Sequence, residues 1–243
     1  MPPPRPRSKR GSRTLAQNPA ELVPPDDALT ITSIRMLQDG RTAAVTVSRR
    51  TVARVRAADL ETLGIAPGMS WTDDLAATLY DAAKRHAAQT HALRLTAARA
   101  RTSRDLVRRL TMAGHARPHA EAAAELLADA GIIDDNAFAD AAASSLAARR
   151  DTSRRGIEQK LIAKGVDRPA ASKAAAEHRD AETDADNAHH LAARRIGRMR
   201  SIDDPQATRR RVVAYLQRRG FGLDDALPAV DAALADRASE DLH

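Results

Sequence analysis

Twelve arginines in three groups are the residues of this chain best suited to chemistry. Arg99, Arg101, Arg104 and Arg108 form the first group, and Arg149, Arg150, Arg154 and Arg155 the second. Arg209, Arg210, Arg218 and Arg219 form the third. The chemistry is recognition rather than catalysis. A guanidinium presents N–H donors in a planar fork that pairs bidentately with a carboxylate or a phosphate. Residue type alone therefore leaves both an acidic protein surface and DNA open as partners. One exposed arginine is usually only solvated, but three groups recurring along the chain are harder to dismiss.

The other polar constellations point away from an enzyme. Asp134, Asp135 and Asp140 are the only acidic cluster of the kind a metal-dependent nuclease needs. They follow Gly131 and precede the apolar Phe138, where a helix N-cap is expected. His115 and His119 stand four apart, a spacing that could hold a metal on one helix face. Pro118 intervenes, so surface or capping roles flanking a turn are expected. The adjacent His189 and His190 point different ways on a helix. The chain has no cysteine, which removes disulfides, thiolate chemistry and Cys-type zinc sites. It has no phosphate-binding glycine loop, no His-Glu-x-x-His and no nucleophile elbow. No catalytic residue, metal or cofactor is expected.

A repeated cassette must position the arginines. SRDLVRRLTMAG (103–114), SRRGIEQKLIAKG (153–165) and ATRRRVVAYLQRRG (207–220) each carry an apolar pair four apart. The pairs are Leu106/Leu110, Ile157/Leu161 and Val212/Leu216, and each copy places Gly four residues further on. The glycines recur at intervals of 51 and 55 residues, the period of a supersecondary unit stacked on its neighbours. Apolar residues make up 43% of the chain and aromatics only 2%. A core of Ala, Leu, Val and Ile suits closely packed helices. The aromatics Trp71, Tyr80, Phe138, Tyr215 and Phe221 fall mostly on apolar stripes, so they are expected in the core rather than as a stacking platform for single-stranded bases.

The expected fold is mainly α: three tandem three-helix repeats in a curved, elongated array behind a small β-hairpin-containing cap. Residues 1–27, rich in Pro, Arg and Ser, are expected to be a disordered basic tail. Residues 28–71 form the cap, with two strands joined at Asp39-Gly40, a third over 51–56 and a short helix stopped at Gly64. The repeats span 72–133, 134–182 and 183–243. Thr72 is expected to cap a long helix, Ser103 to cap the next, and Ala122, Leu126 and Leu127 to form the apolar stripe of the helix that Pro118 begins. Arg101, Arg104 and Arg108 are expected on an outer face. No apolar run approaches the ~20 residues of a membrane helix, and MPPPRPRSKRGSR has no hydrophobic signal segment. A cytoplasmic monomer without membrane contact is expected.

The formal net charge is +7, and its placement follows the repeat. Residues 94–114 hold six basic against one acidic side chain, 149–168 seven against three, and 194–219 nine against two. The stretches between and after them are acidic: 115–148 hold one against six, and 220–243 again one against six. This alternation would set a row of positive charge along one side of a solenoid, a shape suited to an extended acidic partner.

Several strings carry a family likeness. RTSRDLVRRLTMAG, LLADAGIIDDNAFA, the RR-DTSRRGIEQKLIAKGV stretch and RRRVVAYLQRRGF resemble, in this order and at these separations, the RecX regulatory proteins of bacteria. The ITSIRMLQDGRTAAVTV and LETLGIAPGM stretches are similar to an N-terminal extension of some members, so the likeness covers roughly residues 29–236. The resemblance implies a non-enzymatic regulator that binds RecA filaments on DNA and restrains their ATP hydrolysis, strand exchange and growth. Bare DNA would be a weak partner or reached through the filament, and a direct DNA-binding protein acting on the phosphate backbone is the alternative. Three departures stand out. Asp151-Thr152-Ser153 occupies a place where the family tends to have glycines, Lys160 replaces the usual carboxylate, and the basic tail lies outside the family pattern.

Overall fold

The computed structural model describes residues 26–199 and 202–240, which form two compact units. The first unit comprises the described residues up to 99 together with 106–132. The second comprises 100–105 together with the described residues from 133 onward. The described residues hold ten helices and four strands.

In the first unit, β1 (Asp26–Met36), β2 (Thr42–Val47), β3 (Arg50–Arg56) and β4 (Ser70–Trp71) form an antiparallel sheet in the order β3-β2-β1-β4. The Asp39-Gly40 turn joins β1 to β2. Asp39 accepts from the N–H groups of Arg41 and Thr42 and from the Thr42 hydroxyl. These bonds, the hydroxyl's above all, hold its carboxyl at a pKa of about 2. Strand β4 goes beyond the three expected strands. A segment of two residues carries no alternation by which a sequence could reveal it. Strand β1 also begins inside the segment expected to be disordered, because Asp26 accepts from the Ala28 N–H and pairs with Trp71. Residues 1–25, the rest of that tail, lie outside the described residues.

The sheet is too small to enclose a core alone, and α2 (Asp73–Ala98) completes it. Thr72 Oγ1 caps this helix by accepting from the Leu75 N–H. Ile31, Val45, Val47, Val55 and Trp71 then pack with Ala76, Leu79 and Ala82. Helix α1 (Ala57–Thr62) adds Leu60 to the same cluster.

Helix α3 (Ser103–Met112) crosses the division between the units, its first turn counted with the second. In α4 (Arg117–Asp129) the buried stripe is Ala120, Ala123, Ala124 and Leu127. Ala122 and Leu126 are exposed, contrary to expectation. Alanines one turn apart let α4 lie close to α2, which leaves the larger Leu126 facing outward.

The second unit contains two further trios. Helices α5 (Asp135–Ala147), α6 (Arg154–Ala163) and α7 (Arg168–His178) enclose Ala139, Ala143, Ile157, Leu161, Val166 and Ala174. Helices α8 (Ala181–Ile196), α9 (Pro205–Gln217) and α10 (Leu223–Glu240) enclose Leu191, Ile196, Val212, Leu216, Phe221 and Val230. All three apolar pairs of the cassette are buried, at 1% exposure or less.

The cassette glycines end α3, α6 and α9 in one way. Gly114, Gly165 and Gly220 have φ of +94°, +97° and +93°. Each donates its N–H to the carbonyl three residues back, and the next residue donates to the carbonyl five back, as in His115 to Leu110, Val166 to Leu161 and Phe221 to Leu216. This is a Schellman termination, and it satisfies carbonyls that a helix end leaves open.

Candidate functional site

Within the second unit, the start of one cassette helix sits on the glycine end of the next. Thr102, not Ser103, caps α3: its Oγ1 accepts from the Asp105 N–H at 3.1 Å and donates to the Lys164 carbonyl at 2.9 Å. The Ser103 N–H is taken instead by Asp135 Oδ1 at 2.8 Å. The second copy uses the same parts. Ser153 Oγ caps α6 through the Gly156 N–H, the Ser153 N–H donates to the Arg219 carbonyl, and both oxygens of Asp184 accept from the Arg154 N–H. In both joints the first N–H of a cassette helix, one of the donors a helix leaves unpaired, is given a carboxylate from the following trio. The third copy is capped by Asp204 and begins at Pro205, which has no N–H to give.

This scaffold distributes the twelve arginines unevenly. Arg99, Arg104, Arg108, Arg149, Arg150, Arg154, Arg155, Arg210 and Arg218 are exposed. Arg101 is not on an outer face. Its side chain is 8% exposed and its Nη1 lies 3.0 Å from the nearly buried Asp105 carboxylate, in the first turn of α3. Two charges taken out of water must be paired, and Asp105 supplies the partner. Arg209 is paired too, in a two-point contact with Asp231 that includes Nη2–Oδ2 at 2.8 Å. That contact holds the Asp231 carboxyl below its usual range.

Arg219 takes a third course. Its guanidinium lies 4.3 Å from the centre of the Tyr215 ring, and Arg195 reaches the same ring at 5.5 Å. Arg219 Nε is buried with no hydrogen-bond partner. Arg219 and Tyr215 line a cleft of about 200 Å³ with Asp151, Leu191, Arg194, Arg195 and Arg198. Tyr215 was expected in the core but is only half-buried here. Arg194, Arg195 and Arg198 are absent from the twelve. The basic block 194–219 contains them, and the spacing of Leu191, Arg194 and Arg198 along one helix face was the available signal. Arg219 is the one member of the twelve that lines this cleft.

The histidines do not converge on a metal. His119 Nε2 contacts Asp81 Oδ1 at 2.8 Å, whereas His115 Nε2 contacts His91 Nδ1 at 3.1 Å, so each serves the packing of α4 on α2. Burial lowers the pKa of both His91 and His115, in keeping with a ring-to-ring hydrogen bond that requires one neutral imidazole. His189 contacts Asp236. Asp134 caps α5 through the N–H groups of Asn136 and Ala137. Asp135 completes a joint, and Asp140 receives His178. Among the described residues no group of three or more His, Asp or Glu is arranged to hold a metal, and no helix is long and apolar enough to cross a membrane.

Comparison with known proteins follows the same units. Residues 134–174 match the model of the second three-helix domain of RecX, and residues 182–230 that of its third. The chain is 33% identical over 151 residues to the regulatory protein RecX of Mycobacterium sp. (strain KMS), covering 61% of this chain and 82% of that one. It is 35% identical over 143 residues to that of Mycobacterium avium (strain 104), covering 59% and 82%. A crystal structure of regulatory protein RecX superposes with a TM-score of 0.64 at 19% identity, covering 81% of this chain and 96% of the other. A RecX structure from Lactobacillus salivarius gives 0.50 at 18% identity, over 63% and 96%. Family domains on two of the trios and mycobacterial relatives matched over most of their length lead to one conclusion: this chain belongs to the RecX family of regulatory proteins.

Proposed function

We propose that this chain is a cytoplasmic, monomeric, non-enzymatic regulator of the RecA recombinase, acting as an inhibitor in homologous recombination, DNA repair and the SOS response. It docks on the RecA–DNA filament through the arginines of its repeats. The observation that carries this reading is that nine of the twelve arginines are exposed, on a fold whose family is regulatory. Arg101 is set aside for the fold, and Arg209 and Arg219 are already engaged. The repeat offers its charge in series, and a filament offers acceptors in series.

The test compares bare single-stranded DNA with the same DNA coated by recombinase, over a range of salt. A filament partner predicts weak binding to bare DNA and tight binding to the coated strand. A purely phosphate-directed protein predicts tight binding to bare DNA that falls steeply with salt, as the entropic gain from counterion release shrinks. That second result would replace the filament reading with direct DNA binding.

A further inference from the structure

The cleft between α8 and α9 has no part in the reading above. Four guanidinium-bearing side chains line it, from Arg194, Arg195, Arg198 and Arg219, against a single acid, Asp151. Among the described residues none of these four arginines forms an ion pair, and Arg219 Nε is buried without an acceptor. Asp151 is already committed, since its Oδ1 accepts from the Thr152 hydroxyl, which in turn receives Lys160 Nζ at 2.6 Å. Arg194 and Arg195 in the last turn of α8 complement the helix dipole. That explains two of the four, but not why Arg198 and Arg219 join them around one hollow.

We infer that this cleft binds a terminal phosphate, the phosphomonoester of a nucleotide or of a nucleic-acid strand end. The donor count favours this group. A carboxylate offers two oxygens and one charge, which a single guanidinium fork nearly satisfies. A phosphomonoester carries a charge of about −1.5 to −2 and three strong acceptor oxygens, which several forks can share. The hollow, about 200 Å³, is of a size for a phosphate group and not for a duplex. The Tyr215 ring fixes the guanidinium of Arg219 in place, so less side-chain freedom is lost when the anion arrives. Such a site would let the chain tell the end of a strand from its interior.

The test uses the full chain and a dye-labelled single-stranded oligonucleotide carrying either a 5′-phosphate or a 5′-hydroxyl. Anisotropy is read at ~0.15 M salt, where the Debye length is about 8 Å. The phosphorylated strand should bind about tenfold more tightly, the weight of one charge-assisted hydrogen bond. Arg195→Gln with Arg198→Gln should erase that preference at an unchanged melting temperature. Should the pair melt early, Arg198→Gln alone, at an exposed position, should still reduce it. Added nucleoside monophosphate separates the two sources: displacement at concentrations comparable to those of the strand identifies a free nucleotide, and displacement only at large excess identifies a strand end. Both outcomes require the phosphate preference. Equal binding of the two strands, or a preference that survives in the double variant, would overturn the proposal. Displacement by a glutamate-rich peptide more effective than by pyrophosphate would overturn it in favour of an acidic protein segment. No recombinase enters this measurement, so its failure and the failure of the filament reading are distinguishable.

Discussion

The joint at Gly165 and the joint at Gly220 use the same parts with different tolerances. At Gly165 the nearest neighbour of an added Cβ would be the Thr102 hydroxyl oxygen at 2.6 Å, with Arg104 Cβ and the Asp105 nitrogen beyond 3 Å. At Gly220 it would meet the Cα and nitrogen of Gly156, both at 2.5 Å. A Cβ on Gly156 would in turn strike the Arg219 carbonyl oxygen. One joint is thus closed by a hydrogen-bonded side chain, the other by backbone against backbone. The closer approach also buries more polar chemistry. Asp184 is 8% exposed and lies in the field of Arg179, itself 3% exposed. The joint at Gly220 is therefore the more closely packed.

Substitution at the glycines tests that difference most strongly. Gly220→Ala should cost about 3–5 kcal/mol, the upper part of what ~1–2 for a left-handed alanine and ~1–3 for overpacking against backbone allow. Gly165→Ala carries the same backbone cost but meets one side-chain oxygen rather than backbone, and should cost about 2 kcal/mol. Urea unfolding of the two variants measures both. Equal losses would mean that the joints are equivalent.

The carboxylates give the next effect. Asp184→Ala strands the Arg154 N–H and removes a carboxylate from the field of the buried Arg179, for about 2–3 kcal/mol. Asp135→Ala strands only the Ser103 N–H, on a half-buried residue, for about 1 kcal/mol. Hydrogen exchange at Ser103 and Arg154 would locate each loss.

The smallest effect is on pH dependence. Burial raises the Asp184 carboxyl pKa, against the opposing pull of the Arg154 N–H and Arg179. The folded state therefore holds a proton that the unfolded state has released above 3.8. The resulting stabilisation is full below 3.8 and is lost as pH rises through the folded value. Asp184→Asn should flatten this part of the stability profile, which denaturant midpoints across the acid range would show. An unchanged profile would mean that Asp184 titrates as it does in the unfolded chain.

Where reasoning from sequence succeeded, the physics was local. The Thr72 cap, the N-cap at Asp134 and the apolar pairs of the cassettes each declare themselves within one or two helical turns. What escaped depends on residues far apart in sequence. Asp135 meets Ser103 across 32 residues and Asp184 meets Arg154 across 30, with nothing nearby to announce either contact. The cleft needs Tyr215 and Arg219 from one helix end beside Arg194 and Arg198 from another. Arg101 is a different case. Its partner Asp105 stands four residues away, and that spacing could have marked it as paired rather than outward-facing.

The proposed role is most directly tested by the ATPase of preformed RecA filaments on single-stranded DNA as this chain is added. Suppression is predicted at fewer than one chain per recombinase subunit. Arg104→Glu with Arg210→Glu, both at exposed positions, should weaken it while leaving helicity unchanged. An ATPase that stays constant at several-fold excess of this chain would contradict the filament reading.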